Sequence, residues 1–264
     1  MQKNQITPAF QGHFQSIGCD QCRNLDDLGF DFTMAFQPIW DVTKARPFAY
    51  EALIRGKNGE TAADILSQVN DGNRYKFDQA CRVKAIELAA GLGLQHLPDC
   101  LLSINFLPNA VYRPETCIRA TLEAAERFQF PTDRLMFEVT EGERVVDSEH
   151  LIGIFAAYRQ RGFTTAIDDF GAGYSGLNLL ATFQPDILKI DMELTRGINH
   201  SASRQAILAG ILLTCSHLNI QAIAEGVETA DEFAVLNAMG VHLFQGYYFA
   251  KPHIEALPTV SVGK

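Results

Sequence analysis

The sequence predicts an α/β protein whose parallel strands close into a barrel surrounded by helices. Three observations favour this fold class. After an opening pair of strands, strand-like and helix-like segments alternate along the chain, which is typical of a parallel sheet. Acidic and amide side chains follow nearly every strand, whereas an open doubly wound sheet, the alternative fold, concentrates such residues at one switch point. The length of 264 residues, 47% of them hydrophobic, suits a single barrel.

Short apolar runs bounded by turn residues predict the strands. The first two runs flank the polar turn Thr43–Arg46 and should form a hairpin, which would place one strand antiparallel to the rest. The later runs are almost continuously apolar, as expected when helices cover both faces of a sheet. The predicted strands are Phe32–Val42, Pro47–Arg55, Leu101–Leu107, Arg134–Thr140, Thr164–Phe170, Ile187–Leu194, Ile220–Val227 and Leu243–Ala250.

Helices are predicted where apolar residues recur at helical spacing between the strands. The first covers Ala62–Gly93 and ends near a glycine. The later ones begin with Pro, Asp, Ser or Thr, which suit a helix N-terminus. They fall near 114–129, 147–161, 201–217 and 229–239, with a shorter one after Ser175.

The N-terminal segment differs from the rest of the chain because it shows little periodicity. We expect residues 1–30 to form a tail or cap and residues 31–264 to form the barrel. The tail contains Cys19 and Cys22, two of six cysteines, with His13 shortly before them. C-x-x-C spacing suits a zinc corner or a redox pair, but no second pair lies nearby to complete four ligands. Two reduced thiols are the simpler interpretation.

Composition and charge exclude several classes of partner. A formal net charge of −9 does not favour binding to DNA or RNA. No apolar stretch approaches the roughly 20 residues that a membrane-spanning helix needs. The N-terminus also lacks the charged-then-apolar order of a secretory signal. We therefore expect a cytoplasmic protein with neither a nucleic-acid polymer nor a membrane as partner.

The residues at the strand ends predict a metal site. Buried carboxylates repel one another unless cations hold them together, and an all-oxygen set favours Mg²⁺ or Mn²⁺ over zinc. Asp168 and Asp169 are adjacent, so their side chains should point to opposite sides of the strand unless a twist at Gly171 lets both bind metal. The candidate ligands are Glu51, Asn105, Glu138, Asp168, Asp169 and Glu225.

Lys189 stands within an apolar strand, where a lysine is unfavourable to bury unless it faces acidic groups. Beside carboxylates, it would orient a water molecule or accept its proton. The alternative is a purely structural salt bridge in the barrel mouth, with Asp191 as a candidate partner.

A series of motifs then identifies a family. The motifs span about residues 32–252 and resemble, in order, those of the EAL-domain family of cyclic di-GMP phosphodiesterases. The segments around Phe77–Ala90 and Ser175–Leu180 are similar to the EAL half of BLUF–EAL proteins, but no flavin-binding sensor precedes them. The matching residues are Gln37–Ile39, Glu51–Leu53 with Arg55, Asn105, Glu138–Glu141, Asp168–Gly173, Lys189–Asp191, Ala224–Glu228 and Gln245–Tyr247.

The resemblance implies a TIM-type (β/α)8 barrel with one antiparallel strand. It also implies hydrolysis of cyclic di-GMP to linear pGpG by a two-metal, water-activated mechanism, with two Mg²⁺ or Mn²⁺ ions per site. A homodimer that contacts through helices near the Asp168 loop is implied as well. Such a chain could instead be a non-hydrolysing cyclic di-GMP receptor, or a protein-binding barrel that has lost the nucleotide. The candidate residues all match the family by type, so we expect hydrolysis.

The resemblance assigns roles residue by residue. The catalytic residues would be Glu51, Lys189, Glu225 and Gln245, with Lys189 contacting the attacking water and Gln245 beside it. Arg55 would bind a substrate phosphate, and Gln37 and Leu53 would also contact the substrate. Glu51, Asn105, Glu138 and Asp168 would hold the first metal, and Asp168, Asp169 and Glu225 the second. Glu141 would anchor the loop after Asp169, and Asp191 and Glu228 would orient neighbouring groups.

Overall fold

The protein is described by a computed structural model that covers residues 28–111, 117–140, 148–173 and 176–260. The tail that contains Cys19 and Cys22 lies outside the described residues, as does Glu141. In the described ranges the strands are β1 Thr33–Asp41, β2 Arg46–Arg55, β3 Leu101–Asn105, β4 Leu135–Thr140, β5 Thr164–Phe170, β6 Ile187–Ile190, β7 Gln221–Ala224, β8 Leu243–Phe244 and β9 His253–Ile254.

The strands form a closed barrel. Strands β2 to β8 pair in parallel and in chain order. Strand β1 closes the cylinder by pairing antiparallel with β2 on one side and with β8 on the other. The prediction of an α/β barrel with one antiparallel strand is therefore confirmed. Strand β9, which the sequence patterns did not predict, adds two residues to β1 through Ala35 and Phe36.

Helices connect most of the strands and cover the outside of the barrel. None of those in the described ranges has the length and apolarity that crossing a membrane requires. The helices are α1 Ala62–Leu66, α2 Arg74–Gly91, α3 Arg119–Arg127, α4 Ser148–Arg159, α5 Gly176–Thr182, α6 Met192–Thr195, α7 Ala202–Leu218 and α8 Ala230–Ala238.

The long helix predicted over Ala62–Gly93 is wrong, because the chain forms two helices there. Between them, the side chain of Asn70 accepts a hydrogen bond from the backbone N–H of Gly72, and the side chain of Asn73 accepts one from that of Asn70. Such local bonds offer the backbone an alternative to helical hydrogen bonds, so the asparagines end one helix and precede the next.

Several strands are shorter than predicted, and for β6 and β8 the reasons are local. Strand β6 ends at Ile190 because the Asp191 side chain accepts a hydrogen bond from the Glu193 N–H at 2.7 Å and thereby caps α6. After β8, the N–H groups of Phe249 and Ala250 both donate to the Gly246 carbonyl, so the chain turns instead of remaining extended.

An apolar layer fills the barrel beneath its mouth. Side chains on a strand alternate between faces, so a residue two positions along points the same way. On the strands that supply this apolar layer, the next residue that points into the barrel is polar. It lies closer to the rim at which the parallel strands end. The apolar and polar pairs are Ala49 and Glu51, Met136 and Glu138, Ala166 and Asp168, Ile187 and Lys189, Ile223 and Glu225, and Leu243 and Gln245.

Candidate active site

Lys189 lies at the centre of the polar layer, with 0% of its surface exposed. Its Nζ lies 2.8–3.3 Å from one carboxylate oxygen of each of four acidic residues, which come from β2, β4, β5 and the end of β7. These partners are Glu51 at 3.3 Å, Glu138 at 2.8 Å, Asp168 at 2.9 Å and Glu225 at 2.9 Å. The predicted alternative partner, Asp191, caps α6 instead.

The protonation state of Lys189 follows from this arrangement. Burial alone would lower the pKa of the Lys189 ammonium, but the surrounding carboxylates, Asp168 first, raise it well above its usual value. The side chain is therefore a cation with three N–H donors and no acceptor at neutral pH. In this structure it can orient a group by donating to it, and the role of accepting a proton stays a prediction.

Glu51 connects the centre of the site to the antiparallel strand. Its two carboxylate oxygens accept hydrogen bonds from the side-chain amides of Asn105, at 2.9 Å, and of Gln245, at 2.7 Å. The Gln245 amide also contacts Gln37 Oε1 at 3.3 Å, and the Gln37 amide donates to the Ala250 carbonyl at 3.1 Å. The structure thus brings Gln37, Asn105 and Gln245 to the same site, as predicted.

Glu138 is the most deeply enclosed of the acids, with 0% exposure. Its second oxygen accepts a hydrogen bond from the hydroxyl of Ser103, which is also fully buried on β3. Burial raises the pKa of Glu138 to about 8, opposed by Lys189 and reinforced by Glu51 and Asp168. Sequence reasoning missed Ser103, although its place two residues before Asn105 on the same strand puts it on the inward face.

Asp168 and Asp169 face the same site although they are adjacent. The register between β5 and β6 shifts between Ile167 and Phe170, which is the mark of a bulge. Asp169 also has φ +54°, in the left-handed region that non-glycine residues seldom adopt. Of the two arrangements considered from the sequence, the one in which both carboxylates reach one site is therefore observed, with the turn beginning at Asp169 itself rather than at Gly171.

Two groups of carboxylates are close enough to hold metal ions. In each group, the ligand oxygens lie within 4.8 Å of one another. Asp168 belongs to both, so it would bridge neighbouring cations. The groups are Glu51, Glu138 and Asp168, and then Asp168, Asp169 and Glu225.

The acidic residues can all be ionised together only if cations are added. Fully ionised, the five carboxylates and the one ammonium of Lys189 would carry four net negative charges, which is the charge that two divalent cations would neutralise. Burial and the neighbouring Asp168 raise the pKa of Asp169 to about 7 and that of Glu225 well above its usual value. The donors are all oxygens, which suits a hard divalent cation.

A cavity of about 460 Å³ opens above the acidic groups. It is lined by predicted residues, including Leu53, by Tyr247 from the matching motif, and by Met192 and Arg196, which the sequence did not single out. Arg196 is thus a second cationic side chain in the cavity wall, after Lys189, and it forms an ion pair with Glu228.

Arg55 lies outside the lining of this cavity. Its guanidinium donates to the carbonyl of Ile54 at 2.6 Å, and Arg55 is not among the described residues that line the cavity. Its contact with a substrate phosphate therefore stays a prediction. Asp191 does line the cavity while capping α6.

Comparison with known proteins identifies the family. The model of the EAL domain matches residues 25–252. The chain belongs to the EAL domain family. Its curated relatives include the blue light- and temperature-regulated antirepressor BluF of Escherichia coli (strain K12), which is 33% identical over 227 residues that cover 86% of this chain and 56% of BluF. Cyclic di-GMP phosphodiesterase PdeR of the same organism is 34% identical over 138 residues, 52% of this chain and 21% of PdeR.

Solved structures of EAL proteins share the fold. A standalone versatile EAL protein from Vibrio cholerae O395, in its c-di-GMP-bound form, is 59% identical with a TM-score of 0.84, covering 88% of this chain and 96% of that one. Klebsiella pneumoniae BlrP1 in a manganese and cyclic di-GMP complex is 37% identical with a TM-score of 0.79, covering 85% of this chain and 56% of BlrP1. This EAL chain spans about half the length of BluF and about a fifth of PdeR.

Proposed function

We propose that this EAL chain is a cyclic di-GMP phosphodiesterase that hydrolyses one phosphodiester bond to give linear pGpG. The observation that carries the proposal is the convergence of two carboxylate groups, joined through Asp168, beside the buried ammonium of Lys189. Two kinds of relative support the choice of substrate: PdeR is named a cyclic di-GMP phosphodiesterase, and both solved EAL structures contain cyclic di-GMP. The cavity volume also falls within the range of ordinary small-molecule sites, roughly 300–1,000 Å³.

The donor set fits a pair of divalent cations, and we propose Mg²⁺ or Mn²⁺. Glu51, Asn105, Glu138 and Asp168 would hold one cation, and Asp168, Asp169 and Glu225 the other. Bound there, the pair would polarise the phosphodiester and generate a nucleophile from water at neutral pH. The protein's own residues supply the rest. Lys189 would donate an N–H to the attacking water, and the buried Gln245 Oε1, whose amide nitrogen is held by Glu51 and Gln37, would accept a hydrogen bond from it.

A turnover assay tests the proposal. Purified protein with Mg²⁺ should convert cyclic di-GMP to pGpG, as followed by chromatography, and chelation of the metal should stop the reaction. Binding of cyclic di-GMP without turnover, in Mg²⁺ and in Mn²⁺ alike, would contradict the proposal and favour the receptor.

Calcium is expected to inhibit the Mg²⁺-dependent reaction. Ca²⁺ takes more ligands at longer distances, whereas Mg²⁺ requires near-octahedral geometry, so Ca²⁺ should alter the spacing of a two-cation site. The measurement is the rate of pGpG formation at fixed Mg²⁺ with increasing Ca²⁺. Full activity in Ca²⁺ alone would contradict the proposed two-metal geometry.

Ser103→Ala should lower kcat/KM for cyclic di-GMP by about 10- to 100-fold, the usual effect of losing a group that orients a metal ligand. The change removes the hydroxyl that donates to Glu138 and leaves this acid less constrained. Mn²⁺ affinity, measured by calorimetry, should fall in parallel. Ser67→Ala, which removes an exposed hydroxyl bonded to the Asp64 carbonyl, is the matched control. Equal kinetics for both variants would remove Ser103 from the site.

A homodimer remains part of the proposal. The family resemblance implies a contact through the helices near the Asp168 loop, and Leu177 of α5, 69% exposed, offers an apolar side chain in that region. Light scattering of the purified protein should give about twice the mass of one chain. A monomer with full activity would contradict this expectation.

A further inference from the structure

Two loops form one wall of the cavity, and the side chain of Glu232 bonds to the backbone of both. The first loop follows β6 and carries Arg196, and the second follows β7 and carries Glu228. Glu232, in the first turn of α8, accepts a hydrogen bond from the Gly197 N–H at 2.7 Å through Oε1. Through Oε2 it accepts from the N–H groups of Glu228, at 3.0 Å, and Thr229, at 3.1 Å.

Part of this arrangement is an ordinary helix cap. Thr229 and Glu232 form a capping box, in which each side chain bonds to the other residue's backbone. The same box occurs at α1, where Thr61 and Asp64 bond to each other. What distinguishes Glu232 is the additional bond to Gly197, 35 residues earlier in the chain and outside its own helix.

The additional bond acts on a segment that faces the cavity. Arg196 immediately precedes Gly197, and its guanidinium pairs with the carboxylate of Glu228. The backbone N–H of Glu228 in turn donates to Oε2 of Glu232. Gly197 has φ +66°, so the chain turns sharply there and the direction of the N–H fixes the course of the loop. The Glu232 carboxylate thus sets the position of both members of the Arg196–Glu228 pair.

The chemistry at Glu232 requires a carboxylate. Both of its oxygens accept backbone N–H groups, and Glu232 is only 5% exposed. Burial raises the pKa of Glu232, but the bonds from Gly197, Glu228 and Thr229 more than offset this and lower it overall. A glutamine has the same shape but one acceptor oxygen, so its NH₂ group would face either Gly197 or the Glu228–Thr229 pair of donors.

Glu225, by contrast, is held independently of Glu232. Its backbone N–H donates to Ile190, its carbonyl accepts from the Thr195 hydroxyl, and its carboxylate pairs with Lys189. A change at Glu232 should therefore disturb the wall formed by Arg196 and Glu228 more than it disturbs the acidic groups.

We propose that Glu232 is a positioning residue that holds the loops after β6 and β7 together and so determines how tightly the cavity binds its substrate. This inference rests on the proposed function, because the substrate is taken to be cyclic di-GMP. Replacing Glu232 should change the affinity for the substrate and not the rate of the chemical step.

The test compares full-length variants in Mg²⁺ for KM, kcat and melting temperature. Glu232→Gln should raise KM for cyclic di-GMP by about tenfold, the effect of losing one hydrogen bond to a charged group, and should leave kcat within about twofold. Thr229→Ala and Asp64→Asn are the controls, because each weakens a helix cap but leaves the bond between Glu232 and Gly197 in place. Both should lower the melting temperature without changing KM.

Three outcomes are decisive. A wild-type protein that does not turn over cyclic di-GMP overturns the proposed function and this inference with it. If the wild type is active but KM is unchanged in Glu232→Gln, the inference alone is overturned. The same holds if Thr229→Ala raises KM as much as Glu232→Gln does. If Glu232→Gln does not fold, Glu232→Asp gives the same test, because it keeps the charge but is one methylene too short to reach both loops.

Discussion

Replacing Asp168 by asparagine is expected to lower kcat/KM for cyclic di-GMP by at least about a hundredfold. Asp168 is the carboxylate that the two candidate metal groups share, and it pairs with Lys189 at 2.9 Å. The change removes one charge from both groups at once. Bound metal supplies several kcal/mol of transition-state stabilisation, and each 1.36 kcal/mol corresponds to a factor of ten in rate. Steady-state kinetics in saturating Mg²⁺ measure the effect.

Asp186→Asn is the control for this prediction. Asp186 also accepts hydrogen bonds from a strand residue, Thr165, through its backbone N–H at 2.9 Å and its hydroxyl at 2.7 Å. It immediately precedes β6, so it lies at the end of the barrel opposite the acidic groups. The control should lose some stability and keep its turnover. An Asp168→Asn enzyme as active as this control would contradict the assignment of Asp168.

Lys189→Met should have two separable effects. In the metal-free protein, the change leaves four carboxylates, three of them buried, without their common cation, so the free energy of unfolding should fall by about 3–5 kcal/mol. Mg²⁺ should then restore more stability to the variant than it adds to wild type, because the added cation replaces the lost one. Even with Mg²⁺, turnover should fall by about 10²–10³-fold, the usual effect of removing one positioned donor.

Denaturant unfolding with chelator and with Mg²⁺ measures the first effect, and steady-state kinetics measure the second. Lys84→Met provides the control, since Lys84 pairs with Glu87 at 2.7 Å on the surface, where such pairs contribute about 0–1 kcal/mol. A Lys189→Met protein that is as stable as wild type without metal would show that the acids do not depend on Lys189 for their charge balance.

The sequence was sufficient to predict the barrel and the clustering of the acidic residues, because both depend on local patterns. Side chains alternate between the two faces of a strand, so Glu138, two positions after the apolar Met136 on β4, must also point into the barrel. The same reasoning applies to Lys189 two positions after Ile187. Parallel strands that end at one rim then bring such residues together, whatever their separation in the chain.

The features that sequence reasoning missed depend on contacts between distant segments or on the exact course of a loop. The Arg196–Glu228 pair and the bond between Glu232 and Gly197 join loops that only the closed barrel makes neighbours. The left-handed conformation of Asp169 is uncommon for any residue other than glycine, and the enrichment of aspartate there does not single out this one position in the chain. The pairing of Lys189 with Asp191 was wrong because the capping of α6 competes for that carboxylate.

Crystals soaked in Mn²⁺ and examined by anomalous scattering would test the central claim most directly. The account predicts two peaks roughly 3.5–4 Å apart, one among Glu51, Glu138 and Asp168 and the other among Asp168, Asp169 and Glu225. Peaks elsewhere in the molecule, or saturating Mn²⁺ that leaves Asp168 with no cation beside it, would contradict it.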